Sequence, residues 1–506
     1  MSRVSGSTAS SDDRHGRLRW PAKPSRGSAA EAQPGRNTKD VPSQIDKRIA
    51  EWLFLLTFFV YGYFHAGGGW NQNSQFDLTR AIVEQHTFAI DAYASNTGDV
   101  SMHGGHVYSN KSPGLSLIGA LPYALIQPFV KDLAIASWLV TLLTVVPFAA
   151  LIPALLYREG RKRGFTPLWC AMVSLLIAFA TQLFPYSTLY AVHVPAGALM
   201  LVAISTPRPW LAGLAAGAAV AVTYLCAPIL LCVFLLRGWR ALPATVPPLL
   251  AMLVYQRLCF GGFATISIAT MDKRFVTPGR VFGIFGMPSM DALYGITISP
   301  YRGLFFFAPV LVMAIVGMIL WRRSRELACI LIVTAVFFGF NVTFNGWEAG
   351  FGIGARYLVP LIPLWGIAVL YAKPRALVLA LGALSAFLNF AATAVDPQPS
   401  GTIPRPMTQY ILPLLFQGRF SPEVPITPPW SAATFTGHTS VNRLGHDEAI
   451  VFTKHAPDSL AADWASFNLG EPFFGPGDAR SLIPVLLLLL GGASAIAIRA
   501  RRASPS

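Results

Sequence analysis

Long, mostly apolar runs separated by short basic stretches recur along this chain, and nothing constrains its fold more. A helix of about 20 such residues crosses roughly 30 Å of hydrocarbon. Inside lipid every backbone N–H and C=O must find its partner within the chain, which leaves helices as the building material. The clearest runs cover residues 51–66, 133–157, 168–184, 190–206, 241–259, 303–321, 327–344, 357–371, 375–394 and 482–498. Composition agrees: 53% of residues are hydrophobic and 12% charged, and mean hydropathy is +0.50. So few charges cannot cover a soluble particle of 54.7 kDa. A cytosolic enzyme, a secreted disulfide scaffold and a disordered polymer are excluded.

The net charge of +15 does not form a nucleic-acid patch. Residues 1–48 hold ten Lys or Arg against five Asp or Glu, and further basic clusters sit between apolar runs at Arg158–Arg163, Arg237–Arg240, Arg322–Arg325, Lys373–Arg375 and Arg499–Arg502. Short basic turns of this kind mark the cytoplasmic side of a multi-pass protein. No basic module interleaved with aromatics exists, so nucleic acid is not an expected partner. Cys170, Cys226, Cys232, Cys259 and Cys329 all lie in apolar segments without metal-ligand or redox spacing, and read as small buried hydrophobes.

The expected fold is an all-α polytopic membrane protein of about 12 transmembrane helices. Residues 1–48 read as a disordered basic cytoplasmic tail, 49–395 as the transmembrane core with an outer loop at 70–113, 396–480 as an extracytoplasmic cap or lid, and 481–506 as a last span with a basic tail. Segment 114–130 either crosses or lies in the interface. Segment 209–236 is either one long helix or a hairpin of two short ones around Tyr224–Pro228. A further outer loop covers 260–302. The cap stretch is rich in Pro, Gly and Thr and holds Tyr410, Trp430, His438, His446, Asp447, Glu448 and Trp464, suited to stacking on a sugar or to forming a small core. His446, Asp447 and Glu448 are adjacent and would not converge on one ion, so no metal site is expected, and no cofactor.

The first outer loop carries most of the unusual chemistry. Phe76, Ala81, Ile82 and Phe88 give Asp77–Gln85 an amphipathic pattern suited to the membrane surface, with Asp77 and Arg80 on one face. Asp91, Asp99 and the piece MHGGHVYSNKSPG follow; Gly104 and Gly105 read as its turn, and Lys111 stands before a hydrophobic helix. A carboxylate beside the first span can accept a proton from an attacking hydroxyl, while Lys111 neutralises a phosphate leaving group at headgroup depth. That combination suits glycosyl transfer from a lipid-linked sugar phosphate. The structural alternative has Asp77 paired with Arg80, Asp91 capping a turn and Lys111 reaching the interface.

The order of first span, acidic loop, helix, and then GGHVYSNKSPGLSLIGALPY resembles the GT-C superfamily, close to the protein mannosyltransferase and aminoarabinose transferase group. Those enzymes show an Asp-Glu pair soon after the first span and a later Tyr and Lys-Pro-Pro-Leu, matched here by Tyr108, Lys111, Ser112, Pro113, Gly114 and Leu115. The resemblance covers roughly residues 50–210 and, beyond them, only layout. It departs where Asn71 and Gln72 stand in place of the acidic pair. Since an amide is no general base, Asp77 is the first candidate for that role and Asp91 the second.

Later segments add candidates. His193 heads a span in FPYSTLYAVHVPAG, Arg302 precedes an apolar helix in YGITISPYRGLFFFAP, and FNGWEAGFGIGARYLVP gathers Glu348, Arg356 and Tyr357. Lys111, Arg302 and Arg356 are expected to hold the donor phosphate, and Tyr108, His106, Asp99, His193, Glu348 and Tyr357 to position substrate. The expected reaction moves a sugar from a polyprenyl-phosphate donor to a hydroxyl of a glycan, lipid or protein at the outer face of a bacterial-type inner membrane. A transporter or flippase of lipid-linked glycans, and a scaffold of the same architecture without its base, remain open alternatives.

Overall fold

The structure is a computed structural model describing residues 44–271, 275–401, 403–418, 420, 433–443, 446–456, 466–475 and 477–503, with residues 95–96 and the strands within 433–456 described by backbone alone. Of the cap residues, Trp430 and Trp464 lie outside this description, as do the side chains of His438, His446, Asp447 and Glu448, and most of the expected N-terminal tail.

Helices dominate. In chain order they are α1 (Gln44–Gly62), α2 (Trp70–Arg80), α3 (Gly114–Ile126), α4 (Leu133–Lys162), α5 (Pro167–Phe179), α6 (Leu183–Ser187), α7 (His193–Ser205), α8 (Pro209–Val222), α9 (Pro228–Arg237), α10 (Val246–Phe260), α11 (Met290–Thr297), α12 (Leu304–Phe307), α13 (Val312–Leu320), α14 (Arg325–Thr343), α15 (Ile362–Val369) and α16 (Arg375–Val395). A last long helix covers Ile483–Arg502. Among the described residues, four helical segments, Leu133–Lys162, Arg325–Thr343, Arg375–Val395 and Ala479–Arg502, are long and apolar enough to cross a membrane; eight further apolar helices are shorter. Segment 209–236 is broken at Thr223, and 114–130 holds a helix of 13 residues.

Local sequence sets the helix ends. Asp132, Thr166 and Ser324 are N-caps whose side chains accept from the N–H of Ile135, Trp169 and Leu327, and Gly261, in the left-handed region, closes α10. α1 starts at Gln44, inside the stretch read as tail, because Asp46 is tied to α4 by Tyr157 (2.6 Å) and Arg161 (2.9 Å).

Basic residues gather at one end of the bundle. There Arg163 bridges Glu326 (2.8 Å) and lies over Trp321, while Arg375 lies over Trp169, whose indole donates to the Leu370 carbonyl. Helices α1, α5, α14 and α16 all start at this end. Their C-terminal ends therefore deliver residues 64–69, 181–182, 345–356 and 396–401 to the opposite end, where the polar loops lie.

Short antiparallel ribbons finish that end. β1 (Phe64–His65), directly after α1, pairs with a strand at Phe467–Asn468, fastening the far end of the cap stretch beside the first helix. β2 (Val100–His103) and β3 (His106–Ser109) form a hairpin with His103 opposite His106. Its two-residue turn is Gly104–Gly105, with φ of 60° and 85°, the pair of positive values such a turn demands.

Candidate active site

α2 is a polar helix that is buried. Asn71 through Thr79 are all withdrawn from the surface, so the expected amphipathic stretch Asp77–Gln85 begins fully buried and is partly exposed only from Arg80 on, apart from the buried Ala81. Burial is tolerable because many of the polar groups are partnered. Gln75 donates to the Asn71 side chain (2.7 Å), Gln72 donates to Gln398 (2.7 Å), Ser74 meets Ser109 (2.7 Å), and Thr79 meets Tyr190 (2.9 Å). The side chains of Asn71 and Gln72 are thus both held in amide–amide contacts. Arg80 pairs with Glu84 (3.0 Å) across one turn rather than with Asp77. Glu84 also accepts from Tyr93 and Tyr123.

Gln398 joins the early loop to the late ones. Its amide donates to the carbonyls of Gly67 (3.3 Å) and Gly68 (3.4 Å) while its oxygen accepts from Gln72. A Cβ on Gly69 would stand 2.5 Å from the Gln398 oxygen, so a side chain there would break the junction. Just beyond it, Gly352 donates to the Pro399 carbonyl (3.2 Å) and Tyr301 to that of Gly401 (2.6 Å). Asp396, which receives the N–H of Gln398 (2.7 Å) and the Tyr410 hydroxyl (3.2 Å), is pushed up to about 8 by burial.

The hairpin and its flanks divide the expected site residues into two sets. At the turn end, Asp91 accepts from His106 Nδ1 (2.7 Å) and from the N–H of Val107 (2.7 Å), both side chains being exposed. Tyr108 packs edge-on against Phe260, within a cluster that includes Leu78, Tyr93 and Tyr255. Among the described residues, none of these three is paired with a basic residue of the later loops.

At the open end, Lys111 Nζ lies 2.9 Å from Asp99 Oδ2. Burial of the Asp99 carboxyl resists ionisation, but the Lys111 ammonium, and behind it the Arg356 guanidinium, outweigh that and hold it below the ordinary carboxylate range. The Ser74 hydroxyl (2.6 Å) and Asn110 N–H (3.3 Å) donate to the Asp99 carbonyl and fix its position. His193, buried at the head of α7, lies within electrostatic reach of both Arg356 and Lys111. Its ring meets Tyr186 and Tyr357 edge-on at 5.6 and 6.0 Å, and Arg356 lies 5.3 Å over the Tyr357 ring. Among the described residues, His193 Nε2 and Arg356 Nε are buried polar atoms without a hydrogen-bond partner.

Arg302, expected on the phosphate, is 1% exposed and its donors point elsewhere. They reach the backbone carbonyls of Glu348, Gly350 and Gly352, so the guanidinium shapes the loop carrying Arg356. Glu348 is buried in that loop. Asp77 is buried in α2 with no exposed surface, less open to an incoming hydroxyl than Asp99. Among the described residues no group of His, Cys, Asp and Glu could hold a metal ion.

Sequence reasoning gives Asp99 only a positioning role. The signal for more lies in the hairpin. Carrying the register outward from His103–His106 sets Val100 opposite Ser109 and then Asp99 opposite Asn110, one residue from Lys111. The Gln72–Gln398 junction, spanning 326 residues, has no such local signal.

No family model matches the chain, and no curated protein matches it. Two solved structures are similar to it. One is ArnT from Cupriavidus metallidurans bound to undecaprenyl phosphate, 13% identical with a TM-score of 0.46, the match covering 90% of this chain and 74% of that one. The other is ArnT from the same organism in the apo state, 13% identical with a TM-score of 0.45 and the same coverage. At this identity and score the likeness assigns no role to any residue.

Proposed function

We propose that the protein is a membrane glycosyltransferase that moves a sugar from a polyprenyl-phosphate-linked donor to a hydroxyl of a glycan, lipid or protein on the extracytoplasmic side. One observation carries the reading: at the polar-loop end of an apolar helical bundle the Lys111 ammonium is paired with the Asp99 carboxylate at 2.9 Å, and both Lys111 and the Arg356 guanidinium act on Asp99 and on the buried His193 imidazole, groups from three separate stretches of the chain. Buried cations call for an anionic partner. Asp99 partners Lys111, but the Arg356 Nε has no partner among the described residues, which suits a second anion such as a phosphate.

In this reading Lys111 and Arg356 hold the donor phosphate and neutralise the leaving group, which can dispense with a divalent ion where cations are already placed. Tyr357 lies under the Arg356 guanidinium, and His193 and Tyr186 continue the aromatic row beside it. Asp99 is the carboxylate for the acceptor hydroxyl, with Asp77 behind it in the buried helix. Arg302 and Gln398 keep the late and early loops in place. The location of the basic clusters at the other end of the bundle supports an extracytoplasmic site.

The deciding experiment is mass spectrometry of surface glycans and glycolipids in a deletion strain, complemented with wild type, Lys111→Met or Arg356→Met. A single sugar missing from one acceptor, restored only by wild type, is the expected result. The same loss of sugar with the sugar-loaded lipid intact and accumulating at the cytoplasmic face would instead identify a flippase.

A further inference from the structure

Lys111 cannot serve a phosphate in full while it neutralises Asp99. The 2.9 Å ion pair places the two groups this reaction needs most, the base and the cation of the leaving group, in each other's charge field. Resting on the glycosyltransferase reading above, we infer that the pair is a relay: proton transfer onto Asp99 and transfer of the Lys111 charge to the leaving phosphate occur as one event.

The balance of the step supports this. The acceptor oxygen forms its bond to the anomeric carbon as that carbon's bond to the donor phosphate oxygen breaks. The bonding pair leaves with the polyprenyl phosphate, which gains one negative charge. The acceptor proton goes to Asp99, which loses one. Before the step Lys111 is needed by Asp99; after it the carboxyl is neutral and the added charge sits on the phosphate. The ammonium therefore has a stronger partner in the transition state than in the ground state, the difference that accelerates a reaction. Lys111 carries its ammonium on a flexible four-carbon stem, which lets the charge change partner without a backbone movement.

The surroundings favour the exchange. Ser74 and Asn110 anchor Asp99 through its backbone carbonyl, so the carboxyl keeps its place when Lys111 leaves. Arg356, the second cation acting on Asp99, has an Nε without a partner among the described residues and can receive the phosphate before Lys111 turns to it. The exposed Asp91–His106 pair has no second cation of this kind among the described residues, which makes it the internal control.

The relay makes a prediction with an unusual sign. In purified full-length protein, undecaprenyl phosphate serves as the probe for the leaving group and sugar transfer reads turnover. Asp99→Asn should bind undecaprenyl phosphate more tightly than wild type, on the order of tenfold, because Lys111 is released, while transfer falls about a hundredfold or more. Asp99→Ser, smaller and equally neutral, should move both quantities the same way and serves if the amide variant does not fold. Asp99→Glu should retain wild-type affinity, and Asp91→Asn should change neither quantity. Weaker or unchanged binding in both neutral variants overturns the relay, as does wild-type transfer in either. If instead Lys111→Met and Arg356→Met leave undecaprenyl phosphate affinity untouched, the phosphate site is misassigned and the glycosyltransferase reading fails with it.

Discussion

The hairpin of residues 100–109 carries an acid–base pair at each end, and the two differ in almost everything except chemistry. Asp91–His106, beside the glycine turn, leaves 46% and 59% of its side chains exposed. Asp99–Lys111, at the open end, leaves 13% and 21%. Both carboxyls are drawn below the ordinary range: burial opposes the shift in each, and a hydrogen-bonded His106 in one and the Lys111 charge in the other overcome it. Water screens the first pair, which faces no second cation among the described residues. The second is backed by Arg356, and its field persists in a low-dielectric setting. Charge proximity alone therefore does not tell the two pairs apart; burial together with a third charge does.

The strongest way to break this contrast is to remove the cation at each end. Lys111→Met should lower sugar transfer about a hundredfold or more, the loss expected when a leaving-group charge goes unneutralised, whereas His106→Ala should leave transfer within about twofold; radiolabelled-sugar incorporation in membranes reads both. Next comes the junction holding the open end together. Gln398→Leu leaves the Gln72 amide and two glycine carbonyls without their partner and should cost about 1–3 kcal/mol of stability, seen as a lowered melting temperature in detergent. Adding Gln72→Leu should recover part of that loss, since an apolar pair leaves no orphaned amide between the two positions.

Acidity sharpens the comparison further. A carboxyl whose folded-state pKa is depressed contributes stability that is present above its unfolded value and lost as pH falls through the folded one. The melting-temperature gap between wild type and Asp99→Asn should therefore be open at neutral pH and close only below the ordinary carboxylate range. A gap that closes well above that range would place Asp99 outside the field of Lys111 and Arg356. The smallest effect belongs to Asp91→Asn, whose exposed pair should cost less than about 1 kcal/mol of stability.

Features that depend on local periodicity are legible in the amino-acid sequence. Apolar runs locate the helices because a 20-residue hydrophobic stretch has few alternatives, and Gly104–Gly105 locates the hairpin because few other residues take two consecutive positive φ values. Lys111 is legible as a cation heading an apolar helix. Arg302 and Arg356 look alike in sequence, each a lone guanidinium beside an apolar helix, yet they diverge in the fold. Both lie over a tyrosine ring, but the first gives Nε and both Nη groups to three backbone carbonyls, while the second reaches one, that of Phe351, and its Nε has no partner among the described residues. The environment of a long charged side chain comes from strands and loops far away in sequence.

α2 shows the same limit. Its apolar spacing is genuine, but whether the polar face meets water or protein depends on where residues 109, 190 and 398 arrive. What the sequence determined by itself is the helical, lipid-adapted character of the chain, the polarity of its basic turns and the register that sets Asp99 near Lys111, because each follows from neighbours within a helix or a hairpin. Only tertiary structure decided that Arg356 and His193 join that pair while Asp91, His106 and Arg302 do not. Electrostatic coupling depends on distance and burial, and both are products of packing between segments hundreds of residues apart.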